Sequence, residues 1–213
     1  MKILTSALLA ASLSVFTVSA QSTSSDSPVV SGPAPTQSTI ADIVVSVSGG
    51  ANAGQFDSDN TDFDILLTAL QTANLVGAVS DPNANLTVFA PNDLAFIRLA
   101  NDLGYAGSDE SGSWDFLVMA LTGLGGGNPI PVLTDVLLYH VVGQQVSFVG
   151  VIFRSFFGLD ITTLQGATIT PRFFRLEDQD PDLQDPRFIQ PINLRTANGI
   201  IHGIDRVLIP TDL

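Results

Sequence analysis

The 213-residue chain contains no cysteine, a single lysine at position 2 and only two histidines, His140 and His202. Without cysteine there is no disulfide framework, no thiolate nucleophile and no cysteine-ligated zinc site. A lone lysine at the extreme N-terminus leaves no candidate for Schiff-base chemistry or for the phosphate-gripping lysine of a P-loop. Basic residues number 8 against 21 acidic ones, and the pI lies near 4.1. That balance argues against nucleic acid, whose binding begins with cationic neutralisation of phosphates. No stretch beyond residue 20 is long and apolar enough to span a bilayer. What the chain does have is apolar content, 45% of its residues, enough to exclude a disordered chain. Its length suggests one domain, or one domain plus a tail.

The N-terminus reads as an address. Lys2 supplies one positive charge, residues 3–18 are apolar with small and hydroxyl side chains, and Val18-Ser19-Ala20 offers a small-residue cleavage site. This is the three-part pattern of a secretory signal peptide over residues 1–20. A membrane anchor would need roughly 20 mainly apolar residues, and Thr5, Ser6, Ser12, Ser14 and Thr17 interrupt this run. The C-terminal Ile209-Pro210-Thr211-Asp212-Leu213 carries no hydrophobic signal for a lipid anchor. The expectation is a secreted, extracellular or surface-associated protein without a membrane span. After processing, seven arginines face 21 acidic residues, a formal charge of −14, and the fold must rest on its core. Residues 21–37 are rich in Ser, Thr and Pro and read as a flexible tail.

The folded part is expected over residues 38–213. Ile40, Ile43, Val44 and Val47 fall at helical spacing before Gly49-Gly50. Thr61 and Asp64 resemble a capping box for a helix carrying Phe63, Leu66, Leu67 and Leu70. Residues 86–90 read as a strand ended by Pro91, and Asn92 as the cap of the next helix. Ser113 is expected to open a further helix, with Gly125-Gly126-Gly127 closing it, and Val132 to Leu137 suggest another. After Gly143, β-branched and aromatic residues dominate between turn signals. Asn198-Gly199 is a hairpin signal that calls for positive φ. Helices early and strands late favour α+β.

Four blocks carry a resemblance. They are Thr87-Val88-Phe89-Ala90-Pro91-Asn92-Asp93-Leu94-Ala95-Phe96, Leu137-Leu138-Tyr139-His140-Val141-Val142, Thr163-Leu164-Gln165-Gly166, and Asn198-Gly199-Ile200-Ile201-His202-Gly203-Ile204-Asp205-Arg206-Val207-Leu208-Ile209-Pro210. In this order they resemble the signature blocks of fasciclin (FAS1) domains. The resemblance implies an α+β FAS1 fold, a wedge-shaped β-sandwich of about seven strands flanked by several helices. It also implies a non-catalytic cell-adhesion or extracellular-matrix module without a cofactor, binding extracellular or cell-surface proteins or polysaccharides, with self-association as a further option. In some animal members the Tyr-His block is implicated in integrin binding, which makes Tyr139 and His140 candidate contact residues. Their neighbours Leu137, Leu138, Val141 and Val142 are equally what a buried strand requires.

Two departures from the family pattern bear on function. The stretch from Trp114 to Val132 is long and should add a helix. Residues 146–159 are unusually apolar and hold Phe148, Phe153, Phe156 and Phe157. Exposed, they form a patch of the kind that marks partner contact. Covered by the added helix, they are core, which is the commoner fate of apolar runs and the expectation here.

Two acidic groups could hold a hard cation: Asp57, Asp59, Asp62 and Asp64, and Asp178, Asp180, Asp182 and Asp185. Neither has the glycine or the bidentate glutamate of an EF-hand loop, so a solvated acidic loop is the alternative. Asn85-Leu86-Thr87 is the one N-glycosylation sequon. The rival functions are a calcium-tuned acidic surface protein and a small secreted hydrolase using paired carboxylates. A Ser-His-Asp hydrolase finds no support, since no G-x-S-x-G elbow exists and both histidines sit in apolar segments.

Overall fold

The computed structural model describes residues 38–211. The signal peptide and tail read from residues 1–37 lie outside the described residues. Among those described are seven α-helices and seven strands, the strands arranged in two sheets. The helices are α1 (Ile40–Val47), α2 (Asp64–Thr72), α3 (Val76–Ser80), α4 (Asp93–Asp102), α5 (Glu110–Leu124), α6 (Ile130–Tyr139) and α7 (Phe148–Phe157). The strands are β1 (Leu86–Pro91), β2 (Val141–Val142), β3 (Ile161–Thr162), β4 (Thr168–Arg172), β5 (Arg175–Glu177), β6 (Phe188–Thr196) and β7 (Gly199–Ile204). One sheet runs β2-β1-β7-β6 and the other β3-β4-β5. This is the α+β architecture expected from the sequence.

The centre is the parallel pair β1 and β7, buried along their whole length. Strands covered on both faces read as continuous apolar runs, as these do. Leu86, Val88 and Ala90 point to one core with Ile201, where α1, α2 and α4 pack. Phe89 points the other way with Ile204, into a second core that Ile161, Ile169 and Leu176 of the small sheet close. The period-2 alternation of β1 therefore feeds two layers.

Three local expectations change. The Thr61–Asp64 capping box does not form. Thr61 instead bonds Asp59, and the amides of Asp64 and Ile65 at the start of α2 donate to the two carboxylate oxygens of Asp93 at 3.0 and 2.9 Å. A side chain at the start of α4 thus satisfies donors the local sequence leaves open. Helix α5 starts at Glu110, not Ser113, because Asp109 caps it by accepting from Gly112 N. The β6–β7 hairpin follows the expected pairing, yet neither Asn198 nor Gly199 has positive φ. Gly199 is required for closeness: a Cβ there would stand 2.3 Å from the Leu86 carbonyl oxygen. Asn198 is buried and ties the hairpin to the helices, accepting from Ile40 N and donating to Val79 O and Asp81 O.

The aromatic-rich stretch after Val146 is a helix, α7, where strand-like composition dominates. Ser147 caps its start by accepting from Gly150 N, and Gly158 ends it in the left-handed region at φ 64°. Those start and stop signals outweigh the β propensity between them. No helix among the described residues is long and apolar enough to cross a membrane.

Candidate functional site

Tyr139 and His140 lie inside the protein. Tyr139 is fully buried, and its hydroxyl donates to Thr168 O at 2.8 Å. Burial pushes its pKa up. His140 sits at the C-terminal cap of α6, not in a strand. Its Nδ1 lies 2.8 Å from Val136 O, and its Nε2 accepts from Leu208 N at 2.9 Å. A neutral ring with its proton on Nδ1 fits both contacts. Burial lowers its pKa to about 4. These two residues join α6 to the sheets and offer no surface to a receptor in this conformation.

Phe153, Phe156 and Phe157 are exposed, contrary to the core expectation, at 56%, 73% and 56%. The long helical stretch folds as α5 against α4 and α6, and α7 packs on β4 instead. Val149, Phe153 and Phe156 follow at i, i+4 and i+7, one stripe of the helix, while Val151 faces inward. The rings of Phe153 and Phe157 meet at 4.4 Å, and those of Phe156 and Phe157 at 5.2 Å. Beside them the β4–β5 turn exposes Phe173 and Phe174, with Phe173 in the left-handed region at φ 53°. Phe173 N donates to the Ser155 hydroxyl of α7, which joins turn and helix. Arg172 and Arg175 flank the turn, and Arg154 lies on the helix.

The helix is firmly held. Phe148 N donates to Asn193 Oδ1, and Asn193 N donates to His202 Nδ1. His202 Nε2 reaches Val146 O at 2.9 Å, and its ring stacks on Phe89. An aromatic chain therefore runs from core to surface through Phe89, His202, Phe148 and Phe174.

The first acidic group does not converge as a linear loop. Asp59 binds the Thr61 amide and hydroxyl, whose hydrogen bonds hold its pKa down. Asp57 and Asp64 meet Glu110, and Asp62 meets Asp93 and the same Glu110, with each trio's oxygens within 4.8 Å of one another. Asp93 and Glu110 were not legible as partners, since no spacing joins residues 62, 93 and 110. The one available signal is that Glu110 is the only glutamate before residue 177. Burial raises the Asp93 pKa, with the neighbouring Asp62 carboxyl adding to the rise, and burial takes Glu110 to about 7.

In the second group, burial raises Asp178 to about 6, but both its oxygens accept backbone amides, from Ile209 and Asp180. Asp180 likewise accepts from Asp182 N and Leu183 N. These carboxylates brace a loop in a shallow acidic depression shared with Asp185. An apolar groove of about 90 Å³ between α4, α5 and α6 is lined by Leu99, Trp114, Leu117, Leu121 and Val136 and presents no carboxylate pair across a cleft. Asn85 is exposed just ahead of β1, while its sequon partner Thr87 is buried and donates to Gln144 O.

A Fasciclin domain family model matches residues 61–210. Among solved structures, the chain is similar to a FAS1 domain pair from the insect cell adhesion molecule Fasciclin I. Identity is 14% and the TM-score 0.50, over 81% of this chain and 51% of that one. The chain thus spans about half the length of that pair, and at this identity the likeness speaks to fold alone. No curated protein matches the chain.

Proposed function

The chain belongs to the fasciclin domain family, and from that premise we propose that it is a non-catalytic adhesion module working outside the cell or at its surface. Its contact surface is the aromatic face built by α7 and the β4–β5 turn. The carrying observation is five exposed phenylalanines (153, 156, 157, 173 and 174) on two elements that are hydrogen-bonded to each other. Exposed aromatic clusters of this kind mark protein contact sites, and phenylalanine and arginine are enriched there. Holding Phe173 at positive φ costs on the order of 1 kcal/mol, a strain this turn keeps.

The partner is a protein surface, apolar at its centre and acidic at its border. Arg154, Arg175 and Arg172, the last paired with Glu177, accompany the phenylalanines, and residues 151–213 hold six arginines against eight acidic residues, whereas residues 21–150 hold one arginine against thirteen. Electrostatic complementarity of this sort sets orientation and on-rate. The acidic half of a second copy supplies the charge such a border needs.

The test is adhesion of protein-coated beads to one another, with Phe156→Glu/Phe157→Glu beside the native chain. The expected result is at least a tenfold loss of adhesion with an unchanged melting temperature. Full adhesion by the folded double variant would remove α7 as the contact.

A further inference from the structure

Five carboxylates gather where the loop before α2 meets the starts of α4 and α5. Asp57, Asp64 and Glu110 form one trio, and Asp62, Asp93 and Glu110 the other. Four of them are buried, Asp93 completely, Asp64 and Glu110 to within 1% and Asp62 to within 6%. Buried carboxylates are ordinarily paired, bound to metal or held neutral by a proton. Here no cation answers them. The ion pairs among the described residues are Arg98–Asp205, Arg172–Glu177 and Arg206–Asp102, all elsewhere.

A second observation is independent of the clustering. Glu110 Oε1 and Asp62 Oδ1 are buried and have no hydrogen-bond partner. Both belong to the trio whose oxygens converge. An unsatisfied buried carboxylate oxygen costs several kcal/mol unless something fills its place. Around this pair four other carboxylate oxygens are fixed by backbone amides. Glu110 Oε2 accepts from Asp57 N at 2.8 Å, Asp64 Oδ1 from Gly54 N at 3.0 Å, and Asp93 takes Asp64 N and Ile65 N. Such anchoring is what orients ligands for a metal. Asp57, the exposed member, stands on the solvent side and gives an entry path.

We propose that Glu110, Asp62 and Asp93, with Asp57 and Asp64 alongside, form a binding site for one calcium ion. All donors are hard oxygens, drawn from several segments and without the compact octahedral cage that magnesium demands. Asp59, the loop residue closest in sequence, is not a ligand. The ion would tie the loop before α2 to α4 and α5, so its effect is on stability and on the geometry of the helical half.

The test uses chelator-treated full-length chain in three forms: native, Glu110→Gln and Asp59→Asn. Glutamine keeps an oxygen for Asp57 N while removing the charge. Melting is followed with calcium, with magnesium and without metal, and terbium is titrated with excitation of Trp114. That residue is the only tryptophan and lies one helical turn from Glu110. At a hundredfold excess of calcium over its Kd the native melting temperature should rise by about 5–10 °C. Terbium emission should appear and be displaced by calcium. Glu110→Gln should melt no lower than the native chain without metal, yet lose both responses, and Asp59→Asn should keep them. A larger response to magnesium than to calcium would overturn the choice of ion. A native chain without any metal response would leave the carboxylates as a proton-sharing cluster and overturn the site. A response lost in Asp59→Asn but kept in Glu110→Gln would do so too.

Discussion

Phe148 stands edge-on to Phe188, with ring centroids 5.2 Å apart and an interplanar angle of 82°. That contact fastens the first turn of α7 to β6, so the helix is anchored by its start while its Phe153–Phe157 stripe faces water. Anchor and proposed contact surface are thus separate groups on one element, and substitutions should separate them. Phe148→Ala should cost about 2–3 kcal/mol, below the ~3–5 kcal/mol of a fully buried phenylalanine because Phe148 is only partly buried. Phe156→Ala should stay within about 0.5 kcal/mol. Urea unfolding of both variants checks this, and equal losses would refute the separation.

Asn198 carries the tie between the terminal hairpin and the helical layer. Its side chain serves Ile40 N at 2.9 Å, Val79 O at 2.9 Å and Asp81 O at 3.0 Å. Asn198→Ala leaves a buried amide and carbonyl without partners, each worth about 1–3 kcal/mol. The expected loss is about 3 kcal/mol or more by urea denaturation, with early exchange of the amides of α1. A loss under about 1 kcal/mol would show that water replaces those bonds.

His140 makes stability depend on pH with a definite sign. Burial lowers its folded pKa to about 4, against about 6.5 unfolded. Above pH 6.5 neither state takes up the proton and the fold keeps its full stability. As pH falls from about 6.5 to about 4, the unfolded chain binds the proton and the fold cannot, so stability is lost, by about 3 kcal/mol in total. Below that window the loss levels off. Buried carboxylates such as Asp178 titrate with the opposite sign, their protonation relieving the fold. The measurement is therefore the difference between native chain and His140→Gln, in which those contributions cancel. The native advantage should shrink from pH 6.5 to 4 and be constant above 7.

Asn85 should carry a glycan when the chain passes through a eukaryotic secretory route, because it is exposed at the loop before β1. Intact mass should fall on glycosidase treatment, and Asn85→Gln should abolish the difference. Equal masses in both forms would show the sequon unused.

Much of the fold is legible in the sequence. The β1 block, the Asn92 cap, the glycine run after α5 and the β6–β7 pairing all depend on neighbours in sequence, and they appear where expected. What escaped depends on contacts between distant segments. Asp93 caps α2 from 28 residues away, and Glu110 joins Asp62 across 48, which no periodicity encodes. α7 escaped for another reason: Ser147 and Gly158 announce a helix, but its phenylalanines and β-branched residues speak for a strand. Its phenylalanines are exposed where the hydrophobic rule sends such residues inward. That exception is what makes the face informative.

The most direct measurement of the contact surface is amide hydrogen exchange of the chain free and bound to adhesion-competent beads or to itself at high concentration. Protection on binding should concentrate in residues 148–159 and 172–175, and should vanish with Phe156→Glu/Phe157→Glu. Protection confined to the α5–α6 groove or to the acidic residues 56–64, with α7 unchanged, would contradict the assignment of the aromatic face.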